Sequence, residues 1–293
     1  MYVADFVKQC VLFIGNRDDN TNEFVPRGTG FIVTLKEGPL GFRYLVTAEH
    51  VIRSIISRGW DVLVRSNLLE GGVREDSWAG ARWYTHPTES CDVAIATIDM
   101  LPDEEFKQIV LRSDEPDRGI AATAEAMKQN RWGLGDEVLI VGLFISHYGR
   151  RRNVPIVRVG NLSMMREEPV YTRYCGELDA YLVEARSIGG ISGSPVFLHT
   201  PLPNSVNATQ IRLLGLVHGH FDVSGLTGER DEETEGRARG GINTGIGVVI
   251  PVERILETLD QAELVAIRRS AVVEAKGAED PKSPGRFAAP EGG

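Results

Sequence analysis

The sequence predicts an all-β protein built from two strand-rich halves, joined by a linker and followed by a terminal helix. Three observations predict it. Short β-branched and aromatic runs, broken by Gly, Pro and Asn, recur along most of the 293 residues. A stretch opened by Asp, Pro and Gly and continued by helix formers interrupts them once, near the middle. The 32 glycines, set against 7% aromatic residues, suit many short elements and tight turns.

Taken in order, the first half carries GTGFIVTL from Gly28, FRYLVTAEHVI from Phe42, DVLVRS from Asp61 and CDVAIATID from Cys91, each of strand length and composition. DEPDRG, from Asp114, then opens a linker, and IAATAEAMKQNRW carries helix formers with a polar face. A second set follows: GDEVLIVGLF, VPIVRVGNLS, AYLVEARS, SPVFLH, IRLLGLVHGH and NTGIGVVI. Two sets of short strands around one linker suggest two barrels, since closure removes exposed sheet edges. Pro251 stands at a first-turn position ahead of VERILETLDQAELVAI, where Val252, Ile255, Leu256 and Leu259 mark one apolar helix face. Beyond about Val273 the chain is rich in Pro, Gly and charge, the composition of a flexible tail. The expected organisation is a first barrel over 1–113, a linker over 114–132, a second barrel over 133–250, a helix over 251–272 and a tail over 273–293.

Composition narrows the functional classes. A net charge of -9, from 41 acidic and 32 basic residues, offers no positive field for phosphates, so nucleic acid is excluded as an expected partner. The opening MYVADFVKQCVLFIGNRDD reaches charge too soon for a signal peptide or a membrane span, and no membrane partner is expected. Cys10, Cys91 and Cys175 are odd in number and far apart, which predicts a reducing compartment and a cytoplasmic protein. No paired CxxC or HExxH motif is present, so neither a metal nor a cofactor is expected.

The chemistry concentrates in three segments. Acyl transfer at neutral pH needs a nucleophile, a base beside it, a group that fixes the base's tautomer, and fixed donors for an oxyanion. GGISGSP, from Gly189 to Pro195, sets a serine in a glycine-rich turn before a strand, where Gly190 and Gly193 allow main-chain amides to converge. GTGFIV followed by YLVTAEHVI, then CDVAIATID, then GGISGSP together resemble the chymotrypsin-like (trypsin-like) serine peptidases, in particular bacterial members without disulfides. The likeness runs on through GDEVLIVGL, LLGLVHGH and NTGIGVVIPVERI.

This resemblance implies two six-stranded antiparallel β-barrels with a C-terminal helix. It implies His50 as the catalytic base, Asp92 as its orienting acid and Ser192 as the nucleophile, with the main-chain N–H groups of Gly190 and Ser192 as the oxyanion hole. The order His, Asp, Ser separates this pattern from other folds that use the same three residue types. By the same resemblance Arg186, Val217, His218 and Gly219 are candidates to line the substrate pocket. Ile191 precedes the serine where relatives often carry Asp or Asn, so activation by a freed N-terminal amine is not expected.

Each residue has a plainer reading. Asp92 heads an apolar run, where an aspartate can simply cap a turn, and Asp99 is its rival. Ser187 and Ser194 flank Ser192, which alone lies between two permissive glycines. His218 and His220 lie two apart and would share one strand face, but the sequence offers no third ligand to make them a metal site. Arg186 reads equally well as a solvated strand-end arginine, and Cys91 reads as a buried small hydrophobe. The preferred substrate side chain stays open; SGSPVF is similar to glutamyl-specific microbial peptidases, without their pocket histidine in register. Two functions follow: a serine endopeptidase acting on proteins or peptides, or a peptide-binding module of the same fold with latent catalysis awaiting an activating protein partner.

Overall fold

The computed structural model of the protein describes residues 6–99, 102–115, 118–172, 175–185, 191–202, 209–224, 230–232 and 241–278, of which 222–224, 230–232, 241–243 and 277–278 are described in the main chain only. In the first half α1 (Phe6–Gln9), β1 (Val11–Arg17), β2 (Phe24–Glu37), β3 (Leu40–Thr47), α2 (Glu49–Ile56), β4 (Leu63–Leu68), β5 (Val73–Ser77), β6 (Tyr84–Thr85), β7 (Ala94–Thr97), β8 (Glu104–Glu105) and β9 (Ile109–Arg112) follow in turn. After α3 (Ala124–Asn130) come β10 (Glu137–Gly142), β11 (Ile156–Met164), β12 (Val170–Thr172), β13 (Gly176–Leu178), β14 (Tyr181–Glu184), β15 (Pro195–Pro201), β16 (Thr209–Ser224), β17 (Arg230–Glu232) and β18 (Gly241–Pro251). Two helices, α4 (Val252–Leu259) and α5 (Ala262–Ala278), end the described chain.

The first half is a nine-stranded sheet in the order β5-β4-β1-β2-β3-β7-β6, with β8 on β4 and β9 parallel to β2. The second closes on itself as a six-stranded barrel, β15-β10-β11-β14-β18-β16, because β15 also pairs with β16. The expected all-β double-barrel architecture is the one the protein has. The first sheet holds more strands than the six expected, because short segments such as β8 and β9 add to it from far along the chain.

The apolar runs fill the interior. Phe13, Ile14, Phe31, Ile32, Val33, Leu45, Val46 and Ile95 pack without exposure in a cluster that continues across the junction into Leu139, Val141, Phe197 and Leu213 of the second half. A second cluster around Val138, Ile140, Val183, Val196, Leu214, Val217 and Val249 lies inside the closed barrel. The linker helix is capped as its sequence asks: the Thr123 hydroxyl accepts the Ala126 N–H at 3.2 Å, and Arg131 ends it in a left-handed conformation.

The terminal helix differs from its expected form. It breaks after Leu259, and α5 then runs on to Ala278, beyond the 272 limit, on a string of helix formers around Glu274, Ala275 and Lys276. Residues 279–293, the rest of the expected tail, lie outside the described residues. Among the described residues no helix is long and apolar enough to cross a membrane.

Candidate active site

His50 enters through the end of β3. Thr47 leaves the strand with its hydroxyl donating to the Thr29 carbonyl at 2.7 Å, and Ala48, in extended conformation, starts α2. The apolar face of α2, Val51, Ile52 and Ile55, turns into the core, leaving His50 in the first turn with its side chain 28% exposed. The segment read as a strand ending in a histidine is thus a strand that hands the histidine to a helix.

Asp92 sits in the turn before β7 with no exposure, whereas its rival Asp99 is exposed. Its Oδ1 accepts the His50 main-chain N–H at 2.8 Å, and its Oδ2 lies 2.6 Å from His50 Nδ1. The same Oδ2 lies 2.5 Å from Nδ1 of His218, on β16. Burial alone would push the Asp92 carboxyl up, but the neighbouring His50 and His218 imidazoles outweigh it and hold it well below the usual carboxylate range. An ionised carboxylate only accepts, so the proton in each contact belongs to an imidazole Nδ1. Neutral His50 therefore keeps its lone pair on Nε2, the atom a base needs.

Ser192 lies on a turn in which the Ser194 N–H donates to the Ile191 carbonyl at 2.8 Å. Gly193 takes φ +80, the positive value a type II turn demands at its third residue, and a Cβ there would run into the Thr29 carbonyl and the Thr47 hydroxyl. Ile191, 1% exposed, anchors the turn in the core of the closed barrel, a task an Asp or Asn could not perform. The turn is held from both halves: the Thr29 N–H donates to the Ser192 carbonyl at 2.9 Å, and the Gly193 N–H to the Val217 carbonyl at 2.8 Å. The Ser192 hydroxyl donates to the His218 carbonyl at 3.1 Å.

His50 and Asp92 are thus brought together directly, and Ser192 joins them through His218, whose ring also stands edge-on to that of His50 at 5.5 Å between centroids. Of the residues expected on a pocket wall, Val217 is buried in the barrel core and His218 is turned onto Asp92, so neither side chain is free to line a pocket. Gly219 faces open space among the described residues. Arg186 and Gly190, with Ser187, lie outside the described residues. Burial pushes the Cys91 thiol up to about 12, so it stays protonated beside the acid.

The contact of His218 with Asp92 has no signal in the local sequence. The pairing of His218 with His220 on one strand face rested on simple alternation, but the β16–β18 register shifts between Val217 and Gly219, and a shift of that kind re-aims a side chain. His50, Asp92 and His218 offer donor atoms within 4.8 Å of one another, a trio that does not include His220. The separations of 2.5 and 2.6 Å are those of hydrogen-bonded neighbours. Ligands sharing a tetrahedral zinc stand roughly 3.3 Å apart at ordinary bond lengths, so a metal would have to spread these groups.

No protein-family model matches the sequence, and no curated protein does. The fold is shared with solved structures. The MamO protease domain from Magnetospirillum magneticum in its apo form superposes with a TM-score of 0.51 at 15% identity, over 87% of this chain and 98% of that one. Deg5 superposes with a TM-score of 0.50 at 14% identity, over 86% and 88%. The protein has the double-barrel fold of trypsin-like serine protease domains.

Proposed function

We propose that the protein is a serine endopeptidase in which His50 takes the proton of Ser192 as the serine attacks a peptide carbonyl and gives it to the amine that leaves as the C–N bond breaks, Asp92 steadies the imidazolium, and water then hydrolyses the acyl-enzyme to free the acid and the Ser192 hydroxyl. The observation that carries this reading is the paired grip of fully buried Asp92 on His50, through both its main-chain N–H and its Nδ1. That grip leaves Nε2 as the basic atom. The oxyanion would fall to the N–H groups of Gly190 and Ser192. No cofactor enters this chemistry. A fluorophosphonate probe should label the folded protein once, at Ser192, and should leave Ser192→Ala unlabelled. A folded wild type that takes no label, and matches Ser192→Ala in peptide hydrolysis, overturns the proposal.

One observation favours a second reading, that of a peptide-binding module with latent catalysis. The Ser192 hydroxyl is turned to a main-chain carbonyl, and it must rotate to deliver its proton to His50. Under this reading the probe labels Ser192 only when a bound peptide or an activating protein partner has reset the turn.

A further inference from the structure

His218 touches both ends of the site. Its side chain is 5% exposed, its Nδ1 lies 2.5 Å from Asp92 Oδ2, and its carbonyl accepts the Ser192 hydroxyl at 3.1 Å. The register shift in β16 between Val217 and Gly219 places it outside the regular ladder, where side chain and carbonyl can both serve one site. It is not needed to bind Asp92 to the fold, since the His50 main-chain N–H already secures Oδ1.

We propose that His218 is a positioning residue: a second Nδ1–H donor that fixes Oδ2 of Asp92 where His50 requires it, so that one buried carboxylate orients two imidazoles. The significance for catalysis rests on the endopeptidase reading; the arrangement of protons does not. With Oδ1 held by a main-chain N–H, the remaining freedom of the carboxylate is rotation that would carry Oδ2 out of line with His50 Nδ1. A donor on the far side of Oδ2 removes that freedom. His50 and His218 must then both be Nδ1–H tautomers, because the ionised acid offers no proton to either.

A purely structural histidine would fill the same space without these consequences, and the two roles separate by experiment. His218→Leu keeps bulk and removes the donor; the rate of fluorophosphonate labelling at Ser192 should fall about 10- to 100-fold, the weight of one hydrogen bond to a charged acceptor. His218→Asn places an amide N–H near the position of Nδ1 and should recover most of that loss. Imidazole nitrogen NMR of the intact wild type, independent of activity and of any variant's folding, should show His50 and His218 both protonated at Nδ1, with low-field protons.

Three results overturn the proposal: His218→Leu labelled at the wild-type rate, His218→Asn no faster than His218→Leu, or a resting His218 that carries its proton on Nε2 alone. Two Nδ1–H rings in a wild type that takes no label support the double grip and overturn the endopeptidase reading instead.

Discussion

Gly193 concentrates the demands of the site in one residue. Its φ of +80 costs an L-residue roughly 1–2 kcal/mol, and a methyl group there would collide with the Thr29 carbonyl and the Thr47 hydroxyl. Gly193→Ala is expected to lose more than about 2 kcal/mol in denaturant unfolding and to abolish labelling at Ser192, because the turn must retreat from β2. The glycine was legible in GGISGSP, as were His50, Asp92 and Ser192 in their motifs. His218 was legible as a strand residue and a candidate for the pocket wall, but not as a partner of Asp92. Strand alternation treats it and His220 alike, and the shift that parts them arises from pairing with β18, which no local pattern reports.

At the scale of elements, α4 and α5 show how charge fastens a helix pair. Arg112, on β9, grips Asp260 with its two terminal guanidinium nitrogens at 2.6 and 2.7 Å, and Arg268 reaches the same carboxylate at 3.2 Å. The Arg112 hydrogen bonds, helped by Arg268, lower the Asp260 pKa from its ordinary value. A carboxylate with a depressed folded pKa contributes stability that is full above its unfolded value, about 3.9, and is lost as pH falls through the folded one. Asp260→Asn should therefore melt below wild type at pH 7, and the gap should close below about pH 4 in thermal scans. Val252, Ile255 and Leu259 were legible as a buried face; the break at Asp260 was not, since apolar period and helix formers run straight through it.

At the scale of the molecule the two halves meet through more than apolar contact. Arg65, on β4, is 2% exposed, with Phe24 and Tyr148 against its guanidinium. It donates to Asn153 Oδ1 at 2.6 Å and to the Arg150 carbonyl at 2.9 Å, while the Asn153 side-chain N–H returns a bond to the Arg65 carbonyl at 2.6 Å. Asn153→Ala strands buried partners on the other half and should cost about 2–4 kcal/mol in urea unfolding.

The division into two halves was legible because strand-like runs repeat on either side of one linker. The composition of the first sheet was not, since β9 joins β2 in parallel from more than seventy residues away, a pairing set by the finished core.

Arg268, near the C-terminal end of the described chain, bonds Glu37 at 2.6 Å and the Tyr44 hydroxyl at 3.2 Å, both in the first sheet. During synthesis β2 and β3 must wait for α5 to leave the ribosome before they hold this partner. A nascent polypeptide stalled before α5 emerges carries His50, Asp92, Ser192 and His218 yet lacks this clasp, so maturation of the first half is tied to the emergence of α5.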